Sequence, residues 1–238
     1  MPTDASLEGH LAALGLSSGA VVMVHASMRR VGGDADRLID AILSVVGPSG
    51  TMLMMVAEAG GVPFDRLTTP ADPENGVLAE VFRRRAGDGV SDHPASRFAA
   101  IGPQAAHLLS PVPIDDYYGP GSPLERFVAL GGQVLRLGAD VDTITLAHYA
   151  EYRCTVPDKR RVRRRYVRAD TGELWIDSLD DCDGIVDWAQ GDYFAALARD
   201  WLAENAVRRG PVGGARAELF EAKRFVDYAV RWLEKRLG

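Results

Sequence analysis

The chain has 238 residues, of which 47% are hydrophobic and 25% are charged, and its formal net charge at pH 7 is −6. This composition excludes a disordered or collagen-like chain, and two cysteines are too few for a disulfide scaffold or a CxxC zinc site. The length is typical of one large domain, so we expect residues 1–238 to form a single domain.

The sequence shows neither a targeting signal nor a membrane span. Its first residues lack the basic stretch and apolar run of a secretory signal. The apolar run at 52–57 ends at Glu58, far short of the roughly 20 residues that cross a bilayer. We therefore expect a cytoplasmic protein that does not bind membranes.

The first 56 residues predict alternating helices and strands. Leucines at positions 7, 11 and 14 share one face of a helix that ends at Gly15. Buried strands are predicted at 21–24 and 51–56, with a helix between them that ends at Gly47. This order indicates a parallel α/β unit. Residues 57–75 follow as a long loop, a kind of segment that is usually functional.

The rest of the chain predicts further helices, two strands and one hairpin. Ser122, Pro123 and Glu125 have the pattern of an N-cap, a first helical residue and a capping glutamate. The turn at 170–172 joins the hairpin strands 161–168 and 173–179. One further helix is predicted to start at Val77. Other helices are predicted at 102–109, 122–130, 143–153, 193–205 and 218–237, and strands at 96–101 and 132–138.

Positive charge is concentrated in residues 159–168, which hold one lysine, six arginines and no acid. Outside this segment the chain has 20 basic and 33 acidic residues, a balance of −13. A nucleic-acid-binding module built on the segment is one alternative, but the acidic remainder repels a polyanion. We favour a solvated strand face for the segment and expect no nucleic-acid partner.

Three side chains in the predicted helix 143–153 are candidates for chemistry. Thr145, His148 and Glu151 are three residues apart and share one helical face. A carboxylate beside an imidazole can fix its tautomer and raise its basicity, and the hydroxyl can stabilise developing charge. The alternatives are an ordinary surface His–Glu pair, or a metal site that recruits a further histidine (His25, His93 or His107), which we do not favour without a recognisable ligand motif.

Several short motifs follow one another along the chain: VHASM at 24–28, PFD at 63–65 with TP at 69–70, SDHP at 91–94 with FAAIG at 98–102, SPLER at 122–126 with GGQVL at 131–135, DTITLAHYAE at 142–151, PDKR at 157–160 and GPVG at 210–213. In this order they resemble motifs of the aminoglycoside 3-N-acetyltransferases. The family's patterns at these places include VHSS, HPxxSFAAxG and DxxTxxHxAE. The resemblance extends over nearly the whole chain.

The resemblance implies an α/β antibiotic N-acetyltransferase fold: a mixed central sheet flanked by helices, with a β-hairpin and C-terminal helices. It implies direct transfer of acetyl from acetyl-CoA, without a metal, to an aminoglycoside amine. His148 would be the base, Glu151 its orienting partner, and Thr145 the stabiliser of the thiolate or oxyanion. Acetyl-CoA would be bound by His25, Ala26, Ser27, Met28, Arg29, Val31, Ser96 and Phe98.

Aminoglycosides are polycations, so their binding cleft should carry carboxylates. We expect the substrate-binding acids to be Glu58, Asp65, Asp72, Asp142, Asp180 and Asp181. The acceptor could instead be another small amine or an amino-phosphonate, and the enzyme a monomer or a homodimer. Ala26 and Arg97 replace serines of the family pattern, and the loop after Val56 is shorter than in many members of the family and lacks their tryptophans. These departures bear on which antibiotics are accepted rather than on the chemistry.

Overall fold

A computed structural model describes residues 6–58, 60–204 and 207–238. The strands are β1 (Val21–Ala26), β2 (Thr51–Met55), β3 (Phe98–Ile101), β4 (Gln133–Leu137), β5 (Arg161–Arg168), β6 (Gly172–Leu179), β7 (Arg208–Val212) and β8 (Ala215–Glu221). The helices are α1 (Leu7–Leu14), α2 (Met28–Val31), α3 (Ala35–Val46), α4 (Val77–Ala86), α5 (Ala105–Leu108), α6 (Pro123–Ala129), α7 (Leu146–Arg153), α8 (Tyr193–Ala203) and α9 (Ala222–Leu237), with a 3-10 turn at Pro73–Asn75.

Six strands form a mixed sheet in the order β3-β2-β1-β4-β8-β7. β1 runs parallel to β2 and β4, whereas β3, β7 and β8 are antiparallel to their neighbours. β5 and β6 form a separate hairpin. The predicted parallel unit, mixed sheet, hairpin and C-terminal helices are therefore confirmed.

Side chains of the central strands alternate between two apolar cores, as the two-residue period of a strand requires. Val22 and Val24 face a core built with α1, α3 and α4. Val21 and Met23 face a second core, to which α6, α7, α8 and α9 contribute. The sheet is thus covered on both faces, which explains why its central strands are almost uniformly apolar.

Most predicted helix signals act as expected. Gly15 ends α1 in the left-handed region at φ 103°. The Ser122 side chain accepts a hydrogen bond from the Glu125 amide, and Pro123 is the first helical residue of α6. Among the described residues, no helix is both long enough and apolar enough to cross a membrane.

The prediction was wrong at the last helix, where β8 was missed, and two further elements were missed elsewhere. Residues 218–221 belong to β8, because their side chains alternate across the sheet, and α9 begins at Ala222. β7 and α2 were not predicted at all, since each is too short to show a period. The strand predicted at 96–101 begins at Phe98, the helix at 102–109 is reduced to α5, and α7 begins after Thr145. Asn205, the predicted end of α8, lies outside the described residues.

Candidate active site

The carboxyl ends of β1, β2 and β4 border one side of an open pocket. The connection from β1 to β2 includes α3, on one face of the sheet, whereas α6, which leads into β4, lies on the other face. Ligands of α/β sheets bind where the strand order reverses in this way. The strand-end pocket there has a volume of about 350 Å³ and is lined by His25, Ala26, Ser27, Met55, Thr145 and His148, among others.

A second pocket of about 600 Å³ opens beside the first. Its lining includes a large set of acids, namely Asp142, Glu151, Asp180, Asp181, Asp183, Asp187 and Asp192. We call it the acidic pocket. Three residues, Asp142, His148 and Phe194, line both pockets. The imidazole of His148 therefore lies at the boundary between the two pockets.

Helix α7 places the predicted catalytic residues on one face. Thr145 occupies the N-cap position, and its hydroxyl lies 3.8 Å from the Met55 sulfur at the end of β2. His148 and Glu151 follow at intervals of one turn, and His148 Nδ1 lies 3.0 Å from Glu151 Oε2. The His148 side chain is 16% exposed, whereas that of Glu151 is only 2% exposed. The imidazole thus reaches the pockets while its carboxylate partner stays inside the protein.

Aromatic residues that the sequence did not point to complete the surroundings of this pair. Tyr118 stacks on the His148 ring with 4.9 Å between centroids and 10° between planes. Phe194 also contacts the His148 ring, with 4.8 Å between centroids and 57° between planes. The second oxygen of Glu151 accepts a hydrogen bond from the Tyr193 hydroxyl. The signal for these residues was weak, because they come from a loop and from the start of α8, distant in sequence.

The two histidines of the strand-end pocket have opposite protonation behaviour. Burial lowers the pKa of His148, but the hydrogen bond and negative charge of Glu151, helped by Asp181, outweigh it, so this pKa is raised above 6.5. Burial and the nearby Arg136 charge lower the pKa of His25 to about 3. His148 is therefore the more basic imidazole of the two, and His25 is a neutral imidazole.

Some predicted acetyl-CoA residues do not line either pocket. Val31, Ser96 and Phe98 are 3%, 0% and 0% exposed and lie within the protein, so their side chains offer a ligand no surface. Met28 packs against the core beside α3, and Arg29 is exposed on α2. The sequence motifs that suggested these residues did not show which side chains enter the pocket and which are buried behind its wall.

Three predicted substrate acids also lie away from the pockets. Asp65 accepts hydrogen bonds from the amides of Leu67 and Thr68, and Asp72 accepts one from the Glu74 amide. Glu58 accepts one from the Gly60 amide and lines a separate cavity beside β5. These acids stabilise local turns of the 57–75 loop, a use of Asp and Glu that composition alone does not distinguish from ligand binding.

The arginine-rich segment supports the acidic pocket. Arg164 pairs with both Asp180 and Asp181, and the latter also accepts a hydrogen bond from Tyr117 at 2.7 Å. Asp180 is only 2% exposed. All six arginines of 159–168 form ion pairs with acids, and the Lys159 ammonium donates to two backbone carbonyls. The segment thus has little unbalanced charge to offer a polyanion.

Among the described residues, the candidate metal-binding group does not include His148. Within the described ranges, Asp180, Asp181 and Cys182 are the group of three whose ligand atoms lie within 4.8 Å of one another. Arg164 already occupies both carboxylates of that group. His93, one of the histidines considered, uses Nε2 on the Ile114 carbonyl and Nδ1 on backbone amides.

A family model described as aminoglycoside 3-N-acetyltransferase matches residues 23–234. The chain belongs to this family. Aminoglycoside N(3)-acetyltransferase VII of Streptomyces paromomycinus is 37% identical to it over 99% of this chain and 93% of that protein. The family and the fold expected from the sequence motifs are therefore confirmed.

Two solved structures show what relatives of this fold hold. A structure described as AAC-IIIb binary with CoASH has a TM-score of 0.89 and 37% identity, covering 99% of this chain and 97% of that one. A structure described as AAC-VIa bound to sisomicin has a TM-score of 0.90 and 35% identity, covering 98% of this chain and 97% of the other. One relative thus binds a coenzyme and another an aminoglycoside.

Imidazole NMR should separate the two histidines of the strand-end pocket. We expect His148 to titrate with a midpoint above pH 6.5 and His25 to stay neutral down to about pH 3. In Glu151→Gln the His148 midpoint should fall, because burial remains while the stabilising negative charge is gone. A His148 midpoint that does not respond to this substitution would show that Glu151 does not control its protonation.

Proposed function

We propose that this protein transfers the acetyl group of acetyl-CoA to an amine of an aminoglycoside, at the 3-amino position that the family name specifies. The observation that carries the proposal is the position of His148, whose imidazole lines both pockets while Glu151 holds it from inside. Relatives of the same fold with CoASH and with sisomicin support the two ligand classes. The larger set of carboxylates in the acidic pocket and the apolar methionine edge of the strand-end pocket support one pocket for each ligand.

The strand-end pocket suits the thioester end of the donor. Ser27 and neighbouring backbone lie at its floor, where β1 meets the start of α2. His25 also lines it, as a neutral imidazole whose Nε2 has no partner among the described residues. A neutral donor or acceptor can contact the thioester without introducing a charge. The pocket edge at Met54 and Met55 is apolar, as a pantetheine arm requires.

The acidic pocket suits a polycationic acceptor. Its carboxylates attract ammonium groups and orient the molecule by charge complementarity. Asp180 and Asp181 are neutralised in part by Arg164, and the Asp192 side chain caps α8. We therefore assign direct contacts to Asp142 and Asp183. An amino-phosphonate acceptor is disfavoured, because its anionic group would face the same carboxylates.

Proton transfer follows from the geometry of His148. Glu151 occupies Nδ1, which leaves Nε2 to take a proton from the attacking amine. The amine nitrogen forms a bond to the thioester carbonyl carbon, the carbon–sulfur bond breaks, and coenzyme A leaves as a thiolate. Glu151 stabilises the imidazolium that forms, and the faces of Tyr118 and Phe194 favour the same cation.

Thr145 has a separate part in this scheme. It lies one turn before His148 and its hydroxyl faces the strand-end pocket, near the Met55 sulfur. A hydroxyl there can donate to the negative charge that develops on the thioester oxygen or on the leaving sulfur. The base and this donor are fixed on the same helix, so their spacing is set before the substrates bind.

An assay of acetyl-CoA with a panel of aminoglycosides, following thiol release, tests the function directly. His148→Ala should lower kcat by roughly 10²–10⁴-fold, the usual contribution of a general base. Glu151→Gln should cost less, since it removes charge and orientation but leaves the base. Coenzyme affinity should be nearly unchanged in both variants. Full turnover by His148→Ala at neutral pH would contradict the mechanism, and no transfer by the wild type would contradict the function.

Carboxylates of the acidic pocket should control acceptor affinity. In Asp183→Asn we expect the acceptor KM to rise about threefold to tenfold at low salt, with little change in kcat, because this exposed group binds rather than reacts. Added salt should reduce the difference between variant and wild type. Asp88→Asn, an exposed carboxylate outside both pockets, is the matched control. Equal KM values for the two variants would remove Asp183 from the binding site.

A further inference from the structure

The hydroxyl of Tyr193 lies against Glu151, on the side of the carboxylate that faces away from His148 Nδ1. Tyr193 is the first residue of α8 and is 5% exposed. Its hydroxyl donates to Glu151 Oε1 and accepts a hydrogen bond from the Ile185 amide at 2.8 Å. The amide therefore directs the phenolic hydrogen toward the carboxylate. Both oxygens of the buried Glu151 are thus bonded, one to Tyr193 and one to His148.

The protein backbone makes room for this contact. Gly184 has φ +83°, and a Cβ atom built on it would lie 2.6 Å from the Tyr193 ring and 2.7 Å from its hydroxyl. Any other residue would push the ring from its place. Gly184 and Ile185 belong to the segment that lines the acidic pocket, so this segment is connected to the His148–Glu151 pair through Tyr193.

We propose that Tyr193 is a positioning residue that sets the proton affinity of the Glu151–His148 pair and fixes its geometry relative to the acidic pocket. This inference rests on the proposed function, in which His148 is the base. Tyr193 touches neither reacting atom and acts only through Glu151. Its ring packs against Phe194 at 5.2 Å, and Phe194 in turn contacts the imidazole, so the start of α8 holds both members of the pair.

The direction of the effect follows from simple electrostatics. A hydrogen bond from the hydroxyl stabilises the carboxylate in its charged form. Without it, uptake of a proton by the pair becomes more favourable, whether the proton resides on the imidazole or on the carboxylate. Burial and the charge of Glu151 raise the pKa of Tyr193, so the phenol keeps its own proton throughout the working range.

Other ionisable groups face the pair and remain unchanged when only this hydroxyl is removed. Lys159 donates to the Glu151 carbonyl, and Cys154 lies at the end of the same helix. The remaining groups come from the loop before α6, the residues before α7 and the segment after β6: Tyr118, Asp142, Asp180, Asp181, Cys182 and Asp183. A shift caused by Tyr193→Phe is therefore attributable to the lost donor.

Tyr193→Phe keeps the ring and removes the hydroxyl. We expect the acid limb of the kcat/KM pH profile to move upward by about half a unit to one unit, with plateau kcat roughly tenfold lower. The matched control is Tyr149→Phe on α7, which also removes a buried hydroxyl that donates to a glutamate, Glu125, at 3.0 Å. Its acid limb should coincide with that of the wild type. If the acid limbs of the kcat/KM profiles coincide for the wild type, Tyr193→Phe and Tyr149→Phe, the inference is overturned.

A second measurement keeps the test decisive if Tyr193→Phe does not fold. Incorporation of 3-fluorotyrosine at position 193 preserves the contact and makes the phenol a stronger donor, so the NMR midpoint of His148 should move downward. No change, or an upward move, would contradict the inference. This midpoint needs no turnover. If the wild type transfers no acetyl group, the proposed function fails, and the His148 midpoint still decides the role of Tyr193.

Discussion

The buried carboxylate of Glu151 is the charge on which the arrangement of the site depends. A carboxylate this deeply buried requires partners on both oxygens, and His148 and Tyr193 are those partners. The first contact orients the imidazole, selects its tautomer and raises its pKa. The second connects the pair to α8 and to the segment that lines the acidic pocket. Removal of either partner would leave a buried charge poorly satisfied, which is a large cost in the protein interior.

The fold brings two different environments to this one charge. Parallel strands β1, β2 and β4 end at a common edge, which provides the apolar-edged cavity on one side of His148. The hairpin of β5 and β6 leads into the acidic segment on the other side. Arg164 within that hairpin pairs with both Asp180 and Asp181, which fixes these carboxylates at the wall of the acidic pocket. In the proposed transfer each pocket holds one of the two substrates, so the reaction needs both.

Sequence reasoning was most successful where information is local. The spacing of Thr145, His148 and Glu151 within one helix predicted their shared face, and the Ser122 cap and the hairpin turn also depend only on near neighbours. It failed where a role is decided by distant contacts. Glu218 pairs within the sheet rather than starting a helix, and Tyr193 meets Glu151 across 42 residues.

The central claim is that the acetyl group passes directly from coenzyme A to the amine while both pockets are occupied. Rapid mixing of a high concentration of enzyme with acetyl-CoA alone, with thiol detection, tests it most directly. Direct transfer predicts no release of coenzyme A above the slow background until an aminoglycoside is added, and intersecting lines when both substrates are varied. A burst of coenzyme A equal to the enzyme concentration, with parallel lines, would show a covalent acetyl-enzyme and contradict the account.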